Sequence, residues 1–196
     1  MSKAEGHCRP TPPASGVSVR IARCAADVIE LAALRGHEPD LAEILRERGL
    51  APPARGRCTT DDSILALSVR PQRLIILGEA AESGSTAMRW HGFCEGRAAV
   101  IDQSGGWCAW HLAGEGLAPC LARGCRLDPR EYLAAGAASA TLFAQVASMF
   151  AGLTTGMLLL APISFARHVE EWFAHSGAAI GAAISLRQIL LDEECT

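Results

Sequence analysis

Apolar and polar positions along the chain change period several times, and each change predicts an element. Val17, Val19 and Ile21 alternate with Ser18 and Arg20, which places the apolar side chains on one face of a first strand. Pro39 and Asp40 then open a segment in which Leu41, Ile44 and Leu45 fall at helical spacing, closed by Gly49. The stretch from Ala51 to Arg57 carries Pro52, Pro53 and Gly56 and reads as a loop. Leu65, Leu67 and Val69 alternate again, the run Leu74 to Leu77 follows, and two strands are expected to meet near Pro71.

A polar, small-residue segment from Glu79 to Ser85 leads to Trp90, and a break at Gly96 precedes the apolar run Ala98 to Ile101. After Gly105 and Gly106 comes a strand with Trp107, Ala109 and His111 on one face and Cys108, Trp110 and Leu112 on the other, so a hairpin is predicted. Leu117, Cys120 and Leu121 share one side of a brief helix that tolerates Pro119 in its first turn and ends at Gly124. Ser139 to Ile163 mixes small, β-branched and large apolar residues, with a break from Gly152 to Gly156, and predicts a second hairpin of long buried strands. Ser164 is the expected N-cap of a helix whose stripe Phe165, Val169, Trp172 and Phe173 lies opposite Arg167, Glu170 and Glu171 and which Gly177 stops. Ile180, Ala183, Ile184, Leu190 and Leu191 predict a further helix. The order is two similar sheet-plus-helix passes, an α+β fold with helices laid on an antiparallel or mixed sheet.

Length narrows the organisation. With 196 residues the chain suits one core. Three parts are expected: a flexible Pro-rich leader over 1–16, a single α+β domain over 17–177, and a C-terminal helix or tail over 178–196. The leader lacks the apolar centre of an export signal, and the longest apolar runs fall short of the ~20 residues that span a bilayer, so a cytoplasmic location is expected. A net charge of -3 gives no bulk attraction to nucleic acid or an anionic membrane. Eight cysteines at scattered positions, with no C-x-x-C pair, read as reduced, buried apolar groups.

Candidate chemistry is sparse. Gly114-Glu115-Gly116 supplies a G-x-G, but Pro119 stands where a dinucleotide fingerprint needs its third glycine, so a turn at a strand-to-helix junction is the stronger reading. The only lysine is Lys3, so there is no P-loop. His91 and Cys94 are a ligand pair without a second pair to complete a zinc site, and His168 and His175 stand two turns apart, not one. Asp61 and Asp62 suit a solvated turn or cap better than a general base. Trp107 and Trp110, three apart on a strand, point to opposite sides, so that one fills the core while the other is free for a partner surface. No catalytic, cofactor-binding or metal-binding residue is assigned.

Val100-Ile101-Asp102-Gln103-Ser104, then Leu112-Ala113-Gly114-Glu115-Gly116, then Leu121-Ala122-Arg123-Gly124-Cys125-Arg126-Leu127-Asp128 resemble the central signature of sarcosine oxidase gamma subunits. Ser164 to Phe173 resembles that family's closing helix. The resemblance covers about the second half of the chain and implies the folate-binding fold of the glycine-cleavage aminomethyltransferase. The consecutive aspartates of that enzyme's folate site have no counterpart, since the corresponding region reads Gly152-Leu153-Thr154-Thr155-Gly156-Met157-Leu158. The Lys-Gly-Cys motif of the related iron–sulfur assembly factors is missing too. What the resemblance implies is a non-catalytic structural subunit of a heterotetrameric, flavin-dependent sarcosine oxidase, which demethylates sarcosine to glycine. Alpha, beta and delta subunits would be its partners and would hold FAD, FMN, NAD, tetrahydrofolate and zinc, with no cofactor in this chain. The equivalent subunit of N-methylglutamate dehydrogenase and an independent folate-binding one-carbon transfer protein are the alternatives. Short side-chain acceptors commonly bond nearby backbone amides in turns, so Asp102 and Ser104 are expected to cap the turn at Gly105–Gly106. Met1–Gly16 and Ala178–Thr196 are expected to contact the flavoprotein subunits, with Trp107 or Trp110 as an anchor.

Overall fold

The structure, a computed structural model, describes residues 17–37, 40–61, 63–80, 84–180 and 183–190. The elements run β1 (Ser18–Ala33), α1 (Asp40–Glu47), β2 (Arg57–Thr60), β3 (Ile64–Arg70), β4 (Arg73–Glu79), α2 (Ser85–Cys94) and β5 (Ala98–Asp102). They continue with β6 (Trp107–Ala113), α3 (Leu117–Leu121), α4 (Pro129–Tyr132), β7 (Ala138–Phe143), β8 (Val146–Leu153), β9 (Gly156–Pro162), α5 (Ala166–Ala179) and β10 (Ala183–Leu190). This is the expected α+β plan of two passes: each has a helix, a short strand, a hairpin, a second helix and a closing strand.

The sheet follows the order β2-β3-β4-β1-β6-β9-β8-β7, and β5 and β10 also pair with β1. Its two ends are joined by a bridge between Arg57 and Ala137 and by Cys58 N–H to the Gly136 carbonyl at 2.9 Å, so it is nearly closed. Its inward side chains, among them Cys24, Val28, Leu65, Leu67, Ile75, Leu77, Met149, Leu158 and Leu160, make one core. Two more cores lie outside. Ile29, Leu31, Ile76 and Val100 pack under Leu41, Ile44 and Leu45 of α1 and Trp90 and Cys94 of α2. Trp110, Leu112, Phe150 and Leu159 pack under Leu117 and Leu121 of α3 and Val169 and Phe173 of α5.

β1 is the hub and is far longer than the alternation at Val17–Ile21 predicts. Its odd positions face outward throughout: Val19 and Ile21 lie in the α3/α5 core, and Ile29 and Leu31 in the α1/α2 core. Between them Arg23, Ala25 and Asp27 are only partly buried. The polar gap between the two helix layers hides the second half of the strand from a periodicity argument. α1 forms where expected, and its Gly49, at φ 76°, closes it: Gly49 N–H reaches the Arg46 carbonyl at 2.9 Å and Leu50 N–H the Leu45 carbonyl at 3.0 Å. The β3–β4 hairpin turns at Pro71–Gln72, as expected, with Gln72 at φ 57°.

Five expectations change. Ser85–Cys94 is helical, a segment read only as leading to Trp90; Thr86, Trp90 and Cys94, four residues apart, bury one face of it. β5 and β6 do not form a hairpin with each other. Each runs antiparallel to β1, β5 along Ile29–Ala33 and β6 along Arg20–Cys24, because both find hydrogen-bonding partners on that long strand. The segment Ser139–Ile163 holds three strands, not two. The extra turn, Ala144–Gln145, has φ 49° and 70° on residues that carry no turn signal. Ser164 does not cap α5, since a single tighter turn over Ile163–Phe165 precedes the helix, which runs past Gly177 to Ala179. Finally, Ala183–Leu190 is the strand β10, parallel to β1 from Ser18 to Ala25, and not a helix. Its apolar residues suit either period, and an open edge on β1 decides between them.

Candidate functional site

The segment that joins β5 to β6 carries the signature residues, and its shape follows from β1. Between the stretches of β1 that pair with β5 and β6, Val28 has both backbone groups served by this segment. Gln103 N–H donates to the Val28 carbonyl at 2.8 Å, and Val28 N–H donates to Ser104 Oγ at 3.0 Å. Ser104 Oγ also lies 3.4 Å from the Val28 carbonyl. Asp102 Oδ1 accepts from Ser104 N–H at 2.9 Å, a local aspartate turn, and Gly106 N–H closes the loop on the Gln103 carbonyl at 2.8 Å. The backbone and hydroxyl of Ser104, in that order, hold the Asp102 carboxyl below its ordinary range. An acid so committed is a poor proton acceptor at neutral pH. Asp102 therefore caps the turn through the Ser104 N–H, whereas Ser104, expected to cap it as well, spends its hydroxyl on Val28 instead and fills a gap in the sheet.

Beside this seam lies a polar group that the sequence reading passed over. Glu30, buried on the inner face of β1, pairs with Arg73 of β4 and accepts from Gln103 Nε2 at 3.5 Å. Its signal was available: a glutamate inside the run Val28-Ile29-Glu30-Leu31 needs a partner once buried. The pairing bolts β1, β4 and the seam together.

The remaining candidates are held apart. Gly114, at φ 117°, would place a Cβ 2.3 Å from the Ser18 carbonyl oxygen, and Gly116 N–H donates to that same oxygen at 3.1 Å. The G-x-G is thus a turn packed against β1. Cys94 faces the α1/α2 core, where burial pushes its thiol up to about 11, while His91 faces solvent. His168 bonds the Ala144 carbonyl at 2.9 Å and His175 the Glu171 carbonyl at 2.6 Å. Among the described residues no three His, Cys, Asp or Glu side chains gather as a metal site. Asp61 Oδ1 accepts from Ser63 N–H at 2.9 Å and Ile64 N–H at 2.8 Å, which makes it the cap of the β2–β3 turn. Asp62 lies outside the described residues. The cysteines at 24, 58, 94, 108, 120 and 125 are buried; Cys8 and Cys195 lie outside the described residues.

The two tryptophans separate as their spacing requires. Trp110 is fully buried under α5, and its Nε1–H donates to Glu170 Oε1 at 3.0 Å, which rules it out as a partner anchor. Trp107 points the other way and is only half-buried at the end of the inner core. The expected wrapping tail is also corrected in part: Ala178 and Ala179 end α5, and 183–190 belong to the sheet. Met1–Gly16 lie outside the described residues. No described helix is long and apolar enough to cross a membrane.

The chain matches no protein-family model and no curated protein. Among solved structures it is similar to a chain of the heterotetrameric sarcosine oxidase from Corynebacterium sp. U-96, solved in complex with pyrrole 2-carboxylate. The identity is 21%, the match covers 87% of this chain and 89% of that one, and the TM-score is 0.72. It is also similar to the glycine cleavage system aminomethyltransferase T from Bartonella henselae, with 15% identity over 88% of this chain and a TM-score of 0.64. The match spans 48% of that chain, about half its length. The fold is thus one shared by a sarcosine oxidase chain and by part of an aminomethyltransferase.

Proposed function

We propose that this chain is a non-catalytic structural subunit of a multi-subunit, flavin-dependent amine-oxidising complex, the counterpart of the gamma subunit of heterotetrameric sarcosine oxidase. The observation that carries the reading is the near end-to-end match with a chain of that oxidase, against a match to only half of the aminomethyltransferase. The chemistry of the seam supports it. Asp102, Ser104, Glu30 and Arg73 are spent on holding β1, β4 and β5 in place. On this reading alpha, beta and delta subunits carry the flavins, nicotinamide nucleotide, tetrahydrofolate and zinc, and the substrate is sarcosine or another N-methyl amino acid such as N-methylglutamate.

The test is recovery of the tagged full-length chain from its native source. Flavin-containing subunits should accompany it in fixed ratio, and their thermal stability should fall when it is removed. A chain that elutes alone, with flavoprotein subunits equally stable and active without it, overturns the reading. Saturable binding of tetrahydrofolate by the isolated chain would favour a folate-dependent one-carbon carrier instead.

A further inference from the structure

The nearly closed sheet has an open end where the inner core runs out, and its rim is apolar. A cleft of about 410 Å³ opens there, lined among others by Arg70 at the end of β3, Trp107 at the start of β6, and Ala140, Leu142, Ala147 and Met149 of the β7–β8 hairpin. Leu142 is 58% exposed although it sits on the inward side of β7 opposite Ala147, and Ala147 is exposed too. Trp107 pairs with Pro162, and the next residue, Ile163, donates its N–H to the Gly106 carbonyl at 2.9 Å. Ile163 and Phe165, in the turn that follows β9, are themselves 46% and 47% exposed.

The charge in this cleft is as telling as its apolar lining. Arg70 is directly opposite Arg73 across the β3–β4 hairpin, a like-charge pair that costs stability unless each cation finds an anion. Arg73 has Glu30. Among the described residues no carboxylate pairs with Arg70, the one charged side chain that lines the cleft. A planar guanidinium beside half-buried tryptophan and exposed leucine is the composition of an interface anchor.

We propose that this open end is the docking surface for a partner subunit of the complex inferred above, and that the occupant is a segment carrying apolar side chains for the Trp107–Leu142 cleft and a carboxylate for Arg70. The inference rests on the proposed function. A second copy of this chain is the weaker occupant, because a two-fold contact would offer Arg70 only the residues of the same face, and the cleft lining holds no acid.

The experiment uses the tagged full chain in its native source, with recovery of flavin-containing subunits, identified by mass and flavin absorbance, as the readout. Arg70→Glu and Leu142→Asp are compared with wild type and with Met88→Asp, which changes an exposed residue of α2 on the other helix layer. Each variant is checked for wild-type melting temperature. At least tenfold lower recovery for Arg70→Glu and Leu142→Asp, with Met88→Asp unaffected, supports the proposal. Equal recovery for all three overturns it and leaves the proposed function standing. A wild-type chain that recovers no flavoprotein overturns both. Conversion of a dimer of the isolated chain to a monomer by Leu142→Asp would assign the surface to a second copy and sink the proposed occupant.

Discussion

Ser104→Ala tests whether the signature serine works for the fold or for chemistry. Val28 is 1% exposed, and its N–H has Ser104 Oγ as acceptor at 3.0 Å. A methyl group at position 104 leaves that donor buried and unpaired, which costs about 1–3 kcal/mol. The seam is partly open to solvent at Asp102, so water recovers some of this, and about 1.5–2 kcal/mol is the expected loss. In a domain of this size each kcal/mol moves the melting temperature by about 2–4 °C, so the variant should melt about 3–8 °C lower. Thermal unfolding measures the global effect. Amide hydrogen exchange localises it, because the Val28 amide should exchange at least about tenfold faster relative to the rest of β1, the factor that 1.4 kcal/mol of lost protection implies. A melting point within about 1 °C of wild type, with Val28 still protected, would refute the reasoning. Activity of the complex lost at unchanged stability and assembly would move Ser104 from the fold to the chemistry.

Asp102 should shape the acid limb of stability: its folded pKa is depressed, so its contribution is present above the unfolded aspartate value of ~3.9 and lost as pH falls through the folded one. Asp102→Asn should flatten that limb in acid unfolding curves, and an unchanged limb would remove the aspartate turn from the account. Gln145, exposed and at φ 70°, is in the left-handed region without being glycine, so Gln145→Gly should raise stability by about 0.5–1 kcal/mol in urea unfolding; a destabilised variant would mean that the side chain holds the turn. Burial pushes the thiols of Cys94 and Cys120 up to about 11, so iodoacetamide at pH 8 should leave both unlabelled in the native chain and label them in urea. Rapid native alkylation of either, mapped by mass spectrometry, contradicts their placement in the outer cores.

The sequence by itself determined the elements whose environment is uniform along their length. α1, with Leu41, Ile44 and Leu45 inward and Gly49 at its end, has one buried face and one helix stop, so its period survives intact. The β3–β4 hairpin and the caps at Asp61 and Asp102 were legible for a related reason: each depends on residues only a few positions apart. Trp107 and Trp110 could be assigned to opposite faces, but which face was core could not, because strand geometry fixes sidedness and says nothing of what covers each side. Tertiary structure decided the rest. β8 from Ser148 onward and β9 from Met157 to Ala161 bury both faces, so no alternation marked their limits, and the turn between β7 and β8 borrows support from His168 and Gly124 at Ala144, residues distant in sequence. β10 is a strand because β1 offers it a partner, and β1 itself is one strand because two helix layers cover its two halves. The same long-range closure leaves Arg70, Trp107 and Leu142 around one open end. They come from three separate strands, and a period within one segment carries no information about which other segment will face it.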